Sequence, residues 1–245
     1  MKILFAGPSL HRELRDLRGG AYGVALRPPA RCGDIARAVR EGAVAIGLVD
    51  GLFDQNASPW HKEILHALSE GVRVAGGASM GALRAAECSA FGMVGIGAVY
   101  RGYAGAEVTD DADVAQLHGP AEIGYLPLTE PWVNVAPTLA RMEGAGVLGA
   151  AAVRRLGDTA RRLHFTQRTY AEIVHRTPDL SRGEAEAATA WLRDNAVDQK
   201  RIDGLAVLDW LRLQPETRAK ADAAWSFQAT THWLGLLESL DQDAA

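Results

Sequence analysis

Residues 43–49 read AVAIGLV, an apolar run without polar alternation that stops on Asp50-Gly51. A run of that length between turn residues predicts a buried strand, the kind found in sheets covered by helices. The pattern around it repeats. Residues 2–6 form a short apolar strand closed by Gly7-Pro8, with Ser9 as N-cap of a helix over 10–17 that Gly19-Gly20 stops. Residues 24–27 are a weaker strand before Pro28-Pro29, and 34–41 read as a helix stopped by Gly42. Ser58 and Pro59 suit the N-cap and first position of a helix over 60–70; 72–75 is the next strand and 81–89 an Ala-rich helix. Strand and helix alternating four times predict an α/β fold. Its parallel sheet has flanking helices and right-handed crossovers, Rossmann-like or flavodoxin-like. Ligands of such sheets bind where strands end and helices begin, and that edge collects Gly7-Pro8, Pro28, Asp50-Gly51 and the turn at 76–79.

From about residue 136 the strand signals vanish and Ala, Arg, Glu and Leu recur at helical spacing. The chain therefore divides into an α/β core over 1–135 and a mostly helical C-terminal region over 136–245. Ser181-Arg-Gly-Glu184 is a capping-box pattern, and Pro215-Glu216 look like the start of a long final helix.

Composition removes several function classes. With 26 Lys and Arg against 30 Asp and Glu the net charge is −4, so there is no global basic field for a nucleic-acid partner. No uninterrupted apolar stretch is long enough to span a membrane, and the apolar start ends too early, at Pro8, for a signal peptide. Two cysteines, Cys32 and Cys88, make no disulfide framework; a cytoplasmic protein with reduced thiols is expected. Neither a Gly-x-Gly-x-x-Gly fingerprint nor a Walker loop occurs, and no cofactor and no metal is expected.

Gly77-Ala78-Ser79-Met80-Gly81 matches Gly-x-Ser-x-Gly between a predicted strand and a predicted helix, the context of a nucleophile elbow. A serine on such a turn is pushed up from the sheet, and the Met80 and Gly81 N–H groups open the helix, where they face a developing oxyanion. The same serine would serve as a plain N-cap if the turn has no chemistry. Asp50 ends the third strand as an orienting carboxylate or a turn residue. His61, Ile64, Leu65 and Leu68 follow i, i+3, i+4, i+7, which places His61 on the inward face, Lys62 beside it and Glu63 further out. His61 or Lys62 is then the candidate proton acceptor for Ser79, with Asp50 as orienter. Arg84 and Glu87 stand three apart on the next helix, as a substrate contact or an ion pair. Asp110, Asp111 and Asp113 read as a solvated turn before a metal site.

The run from Ile46 to Tyr100 resembles the TfuA-like family. The resemblance rests on Asp50-Gly51 with Phe53, on residues 60–65 (WHKEIL), on Gly76, on Ser79 to Glu87 (SMGALRAAE), and on Phe91-Gly92-Met93 with Gly95. Gly7-Pro8, Pro28-Pro29, Gly33-Asp34, Asp110-Asp111 and Val114-Ala115 extend it over about residues 1–140. Asp113 and Cys88 depart from the pattern, where Glu and an apolar residue are expected. The resemblance implies an accessory enzyme of peptide backbone thioamidation. Such proteins work with YcaO enzymes, which activate the amide with ATP. Their associated step is hydrolysis of a thiocarboxylated, ThiS-like ubiquitin-fold carrier, which releases sulfide. Partners are then a YcaO-type enzyme, the carrier and the precursor peptide. A thin carrier tail calls for a narrow slot, with Gly51, Gly76, Gly77 and Gly81 lining it and Arg84 meeting the carrier. A non-catalytic adaptor that activates YcaO, and a nucleotide- or phosphate-binding protein using residues 77–81, are the competing readings.

Overall fold

The computed structural model describes residues 1–52, 57–220 and 225–242. Phe53, one of the residues carrying the resemblance, lies outside them. The chain divides into two compact units, Met1–Glu107 with Arg201–Ala245, and Val108–Lys200.

The first unit is built on five parallel strands in the order β2-β1-β3-β4-β5: β1 Lys2–Phe5, β2 Ala25–Arg27, β3 Ala45–Leu48, β4 Arg73–Gly77 and β5 Val94–Ile96. This is the flavodoxin-like strand order, whose direction of winding reverses between β1 and β3. Helices connect the strands: α1 Leu14–Arg18, α2 Asp34–Arg40, α3 His61–Ser69, α4 Met80–Cys88 and α5 Gly97–Ala104. One face of the sheet packs Ile3, Ile46, Leu48 and Val74 against Ile35, Ile64 and Ala85 of α2, α3 and α4. All are apolar and buried, as the unalternating strands require.

Helices of the second unit are α6 Trp132–Gly144, α7 Ala150–Arg162, α8 Tyr170–Arg176 and α9 Arg182–Asn195. Val135, Leu139, Leu156, Ile173 and Leu192 form its core. The Ser181 capping box forms as expected: its hydroxyl accepts from the Glu184 N–H at 3.2 Å, and the Glu184 carboxylate accepts from the Ser181 N–H at 2.8 Å. Helix α10, Gln199–Arg212, crosses from the second unit back into the first. Its Val207, Leu208 and Leu211 cover the other sheet face, against Leu4, Val49 and Ala78. A side chain on Gly47 would crowd Val207, at 3.1 Å, so the glycine in β3 is what lets α10 lie close. The change in sequence pattern puts one boundary at 135; the compact units separate at 107 and again at 200.

Three local expectations are corrected. Residues 10–17 are not one helix: Pro8–Leu10 is a single 3-10 turn and α1 begins at Leu14, because the Ser9 hydroxyl bonds to Asp50 at 2.6 Å instead of capping a helix. Helix α3 begins at His61, with the Glu63 carboxylate accepting the Trp60 N–H at 2.9 Å, so Ser58 and Pro59 stand before the cap. Pro215-Glu216 do not open a helix. Glu216 pairs with Lys2 at 3.0 Å, Arg218 donates to the Val39 and Ala43 carbonyls at 2.7 and 3.0 Å, and the Ala219 N–H donates to Gly71 O at 2.7 Å. Those partners hold the segment outside any helix, and the last helix, α11, covers only Thr231–Gln242.

Candidate functional site

Ser79 stands between β4 and α4, at the carboxyl edge of the sheet, and is 3% exposed. Its N–H donates to Gly77 O at 2.8 Å across Ala78, whose φ is +68°. That is a γ-turn of the rare, strained sense, at a non-glycine residue. The Ala78 side chain is fully buried in the face that α10 covers, so packing holds the turn against its strain. Among the described residues the Ser79 hydroxyl makes no hydrogen bond, and it does not cap α4. The plain N-cap reading therefore has no support in the geometry.

Of the two amides expected to face an oxyanion, the Gly81 N–H is taken by Val49 O at 3.2 Å. Met80 is buried, and its N–H has no partner among the described residues. The glycines of the expected slot approach the protein's own backbone. A side chain on Gly76 would overlap Gly81 O, one on Gly81 would overlap Leu48 O, one on Gly77 would meet Ile96 O and one on Gly51 would meet Met80. Gly76 and Gly81 let α4 sit tightly on β3 and β4.

Asp50 is 1% exposed. One carboxylate oxygen accepts the Gly7 and Ser9 N–H groups at 2.8 and 3.0 Å, and the other accepts the Ser9 hydroxyl. Asp50 thus clamps the β1 loop to the end of β3, at the point where the winding reverses. Ser9 as its partner was not read from the sequence, where it looked like a helix cap.

His61 and Lys62 have partners other than Ser79. His61 is half exposed, and its Nε2 lies 2.7 Å from Glu87, which also pairs with Arg84 at 2.7 Å. Arg84 donates to the Pro59 carbonyl at 2.9 Å. This cluster ties the start of α3 to the last turns of α4. Glu87 lies eight residues beyond Ser79, about 12 Å along the helix at roughly 1.5 Å per residue. Lys62 sits 4.9 Å from the Phe227 ring centroid. The inward residue of that helix start is Glu63, fully buried, whose carboxylate accepts the Gly33, Ile35 and Ala36 N–H groups at 2.9, 3.2 and 3.3 Å. Burial raises its pKa while those amides oppose the rise. Helical periodicity favoured His61 because it cannot recognise a carboxylate that pays for burial with backbone donors.

Cys32 and Cys88 are free, and burial pushes both thiols up to about 11, so neither is a reactive thiolate. Asp110 caps Ala112 N–H at 2.9 Å and Asp113 pairs with Arg161 at 2.7 Å, as a turn rather than a metal shell. Among the described residues no cluster of three or more His, Cys, Asp or Glu side chains is arranged to hold a metal, and no helix is long and apolar enough to cross a membrane.

The first unit is therefore a flavodoxin-like parallel α/β domain that presents a buried, unbonded serine on a strained strand-to-helix turn. The family model described as TfuA-like protein matches residues 50–169, and over that stretch the chain is similar to the TfuA-like proteins. The match takes in Asp50, Ser79 and the helix of Arg84, and it continues past residue 140 into the helical region. No curated protein matches the chain.

Proposed function

We propose that the chain is an accessory enzyme of peptide backbone thioamidation, which hydrolyses the C-terminal thiocarboxylate of a ThiS-like ubiquitin-fold carrier and supplies sulfide to a partner YcaO enzyme acting on a precursor peptide in the cytoplasm. The observation that carries this reading is Ser79. It is a serine with an unbonded hydroxyl, on a strained turn, beside the unpartnered Met80 N–H at the start of α4. In the proposed reaction the Ser79 oxygen attacks the thioacid carbonyl carbon. The Met80 N–H and the α4 dipole stabilise the oxyanion. The carbon–sulfur bond breaks as the serine proton passes to the departing sulfur, which leaves as hydrosulfide. Water then attacks the acyl-serine ester, releasing the carrier carboxylate and a proton and restoring the hydroxyl. Because the thiocarboxylate brings its own proton acceptor, the first step does not depend on His61 or Lys62 reaching Ser79.

The test is sulfide release from a carrier thiocarboxylate. Ser79→Ala is expected to lower turnover by at least about 10³-fold with the fold retained. Near wild-type turnover in a folded Ser79→Ala protein removes the serine from the mechanism. The adaptor reading is favoured by a different observation. Leu117, Ile123, Leu126 and Leu128 are between 43% and 59% exposed on one irregular segment of the second unit. It predicts no sulfide release by the wild-type chain, but stimulation of YcaO that survives Ser79→Ala.

A further inference from the structure

Asn134 and Thr138 stand about one turn apart on α6, both buried, and both turn their side chains to the link between α9 and α10. The Thr138 hydroxyl accepts the Val197 N–H at 2.8 Å, and the Asn134 side-chain oxygen accepts the Lys200 N–H at 3.0 Å. Val197 lies before α10 and Lys200 in its first turn, where a helix has no carbonyl of its own to offer. The opening of α10 is thus held by two side chains of another helix. All of these residues belong to the second unit.

Two carboxylates meet at the same point. The Asn134 side-chain nitrogen donates to Asp198 Oδ1 at 3.2 Å and also to Glu130, so one amide serves both. Glu130 precedes α6, and its own N–H donates to the Arg168 carbonyl at 2.6 Å. The polar groups that face its side chain are Asp198 and Lys200 from the link and the first turn of α10, Asn134 from α6 and Tyr170 from α8. The Tyr170 hydroxyl in turn lies 2.9 Å from Thr138 Oγ1. Of these groups Lys200 alone is cationic, and its ammonium also donates to Val114 O and to the Gln116 side-chain oxygen, each at 2.9 Å. Burial first and the Asp198 charge second push the Glu130 carboxyl up to about 7, against the Asn134 hydrogen bond and the Lys200 charge.

We propose that Glu130 is a pH-sensitive latch on this link: its neutral carboxyl lets Asn134 and Thr138 hold residues 197–200 to α6, and its ionisation beside Asp198 releases them. The proton leaves to solvent, and two like charges then draw on one amide. Opening of the link carries Asp198 away from Glu130 and returns both carboxylates to water, which is the relief that favours it. The closed link holds the Glu130 proton more tightly than the open one, so closure is favoured below pH 7 and weakened as pH rises through it. The latch stands or falls without reference to thiocarboxylate hydrolysis.

Hydrogen exchange of the full chain, read at single amides at about pH 6 and about pH 8, tests it. Protection factors are compared, which removes the base catalysis of exchange itself. Those of the Val197 and Lys200 amides are expected to fall about tenfold between the two, the change allowed when opening returns Glu130 from about 7 to the ordinary 4.5. Both amides are expected to exchange ahead of those of Leu139 and Leu156 in the helical core. Glu130→Gln, which cannot ionise, is expected to hold the factors level. Asp198→Asn removes the like charge and is expected to shrink the fall; it carries the test if Glu130→Gln fails to fold. A level profile in the wild-type chain overturns the proposal, and so does a fall that the variants leave undiminished. Exchange of Val197 and Lys200 in step with the core also overturns it, since the link would then not open by itself.

Discussion

Three buried carboxylates of the first unit differ from Glu130 of the second in what meets them. In the first, Asp50, Glu63 and Asp203 are all buried, and each is met by backbone N–H groups: Gly7 and Ser9 on Asp50, Gly33, Ile35, Ala36 and Trp60 on Glu63, Val99 on Asp203. In the second, Glu130 is largely buried among side chains, with Asp198 adding a like charge while Asn134 and Lys200 oppose it, and its pKa is pushed up to about 7. A backbone donor cannot titrate or swing away, so it fixes the loop that supplies it. A side-chain environment leaves the carboxylate open to change with pH.

The largest effect is expected where backbone partners are removed. Asp50→Ala leaves the Gly7 and Ser9 N–H groups buried without an acceptor and unties the β1 loop, at a cost of about 3–5 kcal/mol. Urea unfolding measures it. A loss below about 1 kcal/mol would mean that those amides find other acceptors, and the contrast between the units would lose its strongest case.

Glu130 should show a smaller, pH-dependent effect. Its folded pKa of about 7 lies above the ordinary 4.5, so its contribution to stability is fully present below 4.5 and is lost as pH rises through 7. Glu130→Gln should therefore leave stability unchanged near pH 4 and raise it by about 1–3 kcal/mol at pH 8. Tm measured across that range decides the matter; equal gains at both ends would mean that ionisation is not the cause.

The smallest effect belongs to the half-exposed cluster. Glu87→Gln weakens the contacts to His61 and Arg84 and should cost no more than about 1 kcal/mol. Sulfide release should stay at the wild-type level. A tenfold loss in a protein of unchanged stability would bring the cluster into the active site after all.

Most of the sheet was legible because its central strands are apolar at nearly every position: residues 2–6, 43–49 and 72–75 lie within a residue or two of β1, β3 and β4. The fifth strand was not, since Val94-Gly95-Ile96 is short and carries a glycine where a side chain would advertise it. Ser79 was legible from its turn. Its surroundings were not, because they depend on bonds between distant segments: Asp50 with Ser9, Glu63 with Gly33, and Arg218 with Val39. Charge and spacing along the chain favour the nearest helical partner. They carry no signal for a carbonyl or an amide that another loop delivers.

The route of the chain through α10 sets a schedule for its synthesis. Strands β1, β3 and β4 are made early, yet Val207, Leu208 and Leu211, which cover one face of their sheet, come only after all of Val108–Lys200. At about 5–20 residues per second, Leu4, Val49 and Ala78 spend roughly 6 to 40 seconds on the ribosome before their cover is translated. During that interval the growing chain offers a naked apolar sheet face, while the second unit completes its own core at Leu192, before that cover arrives. A pause in translation before residue 207 would lengthen that exposure and favour aggregation of the nascent chain.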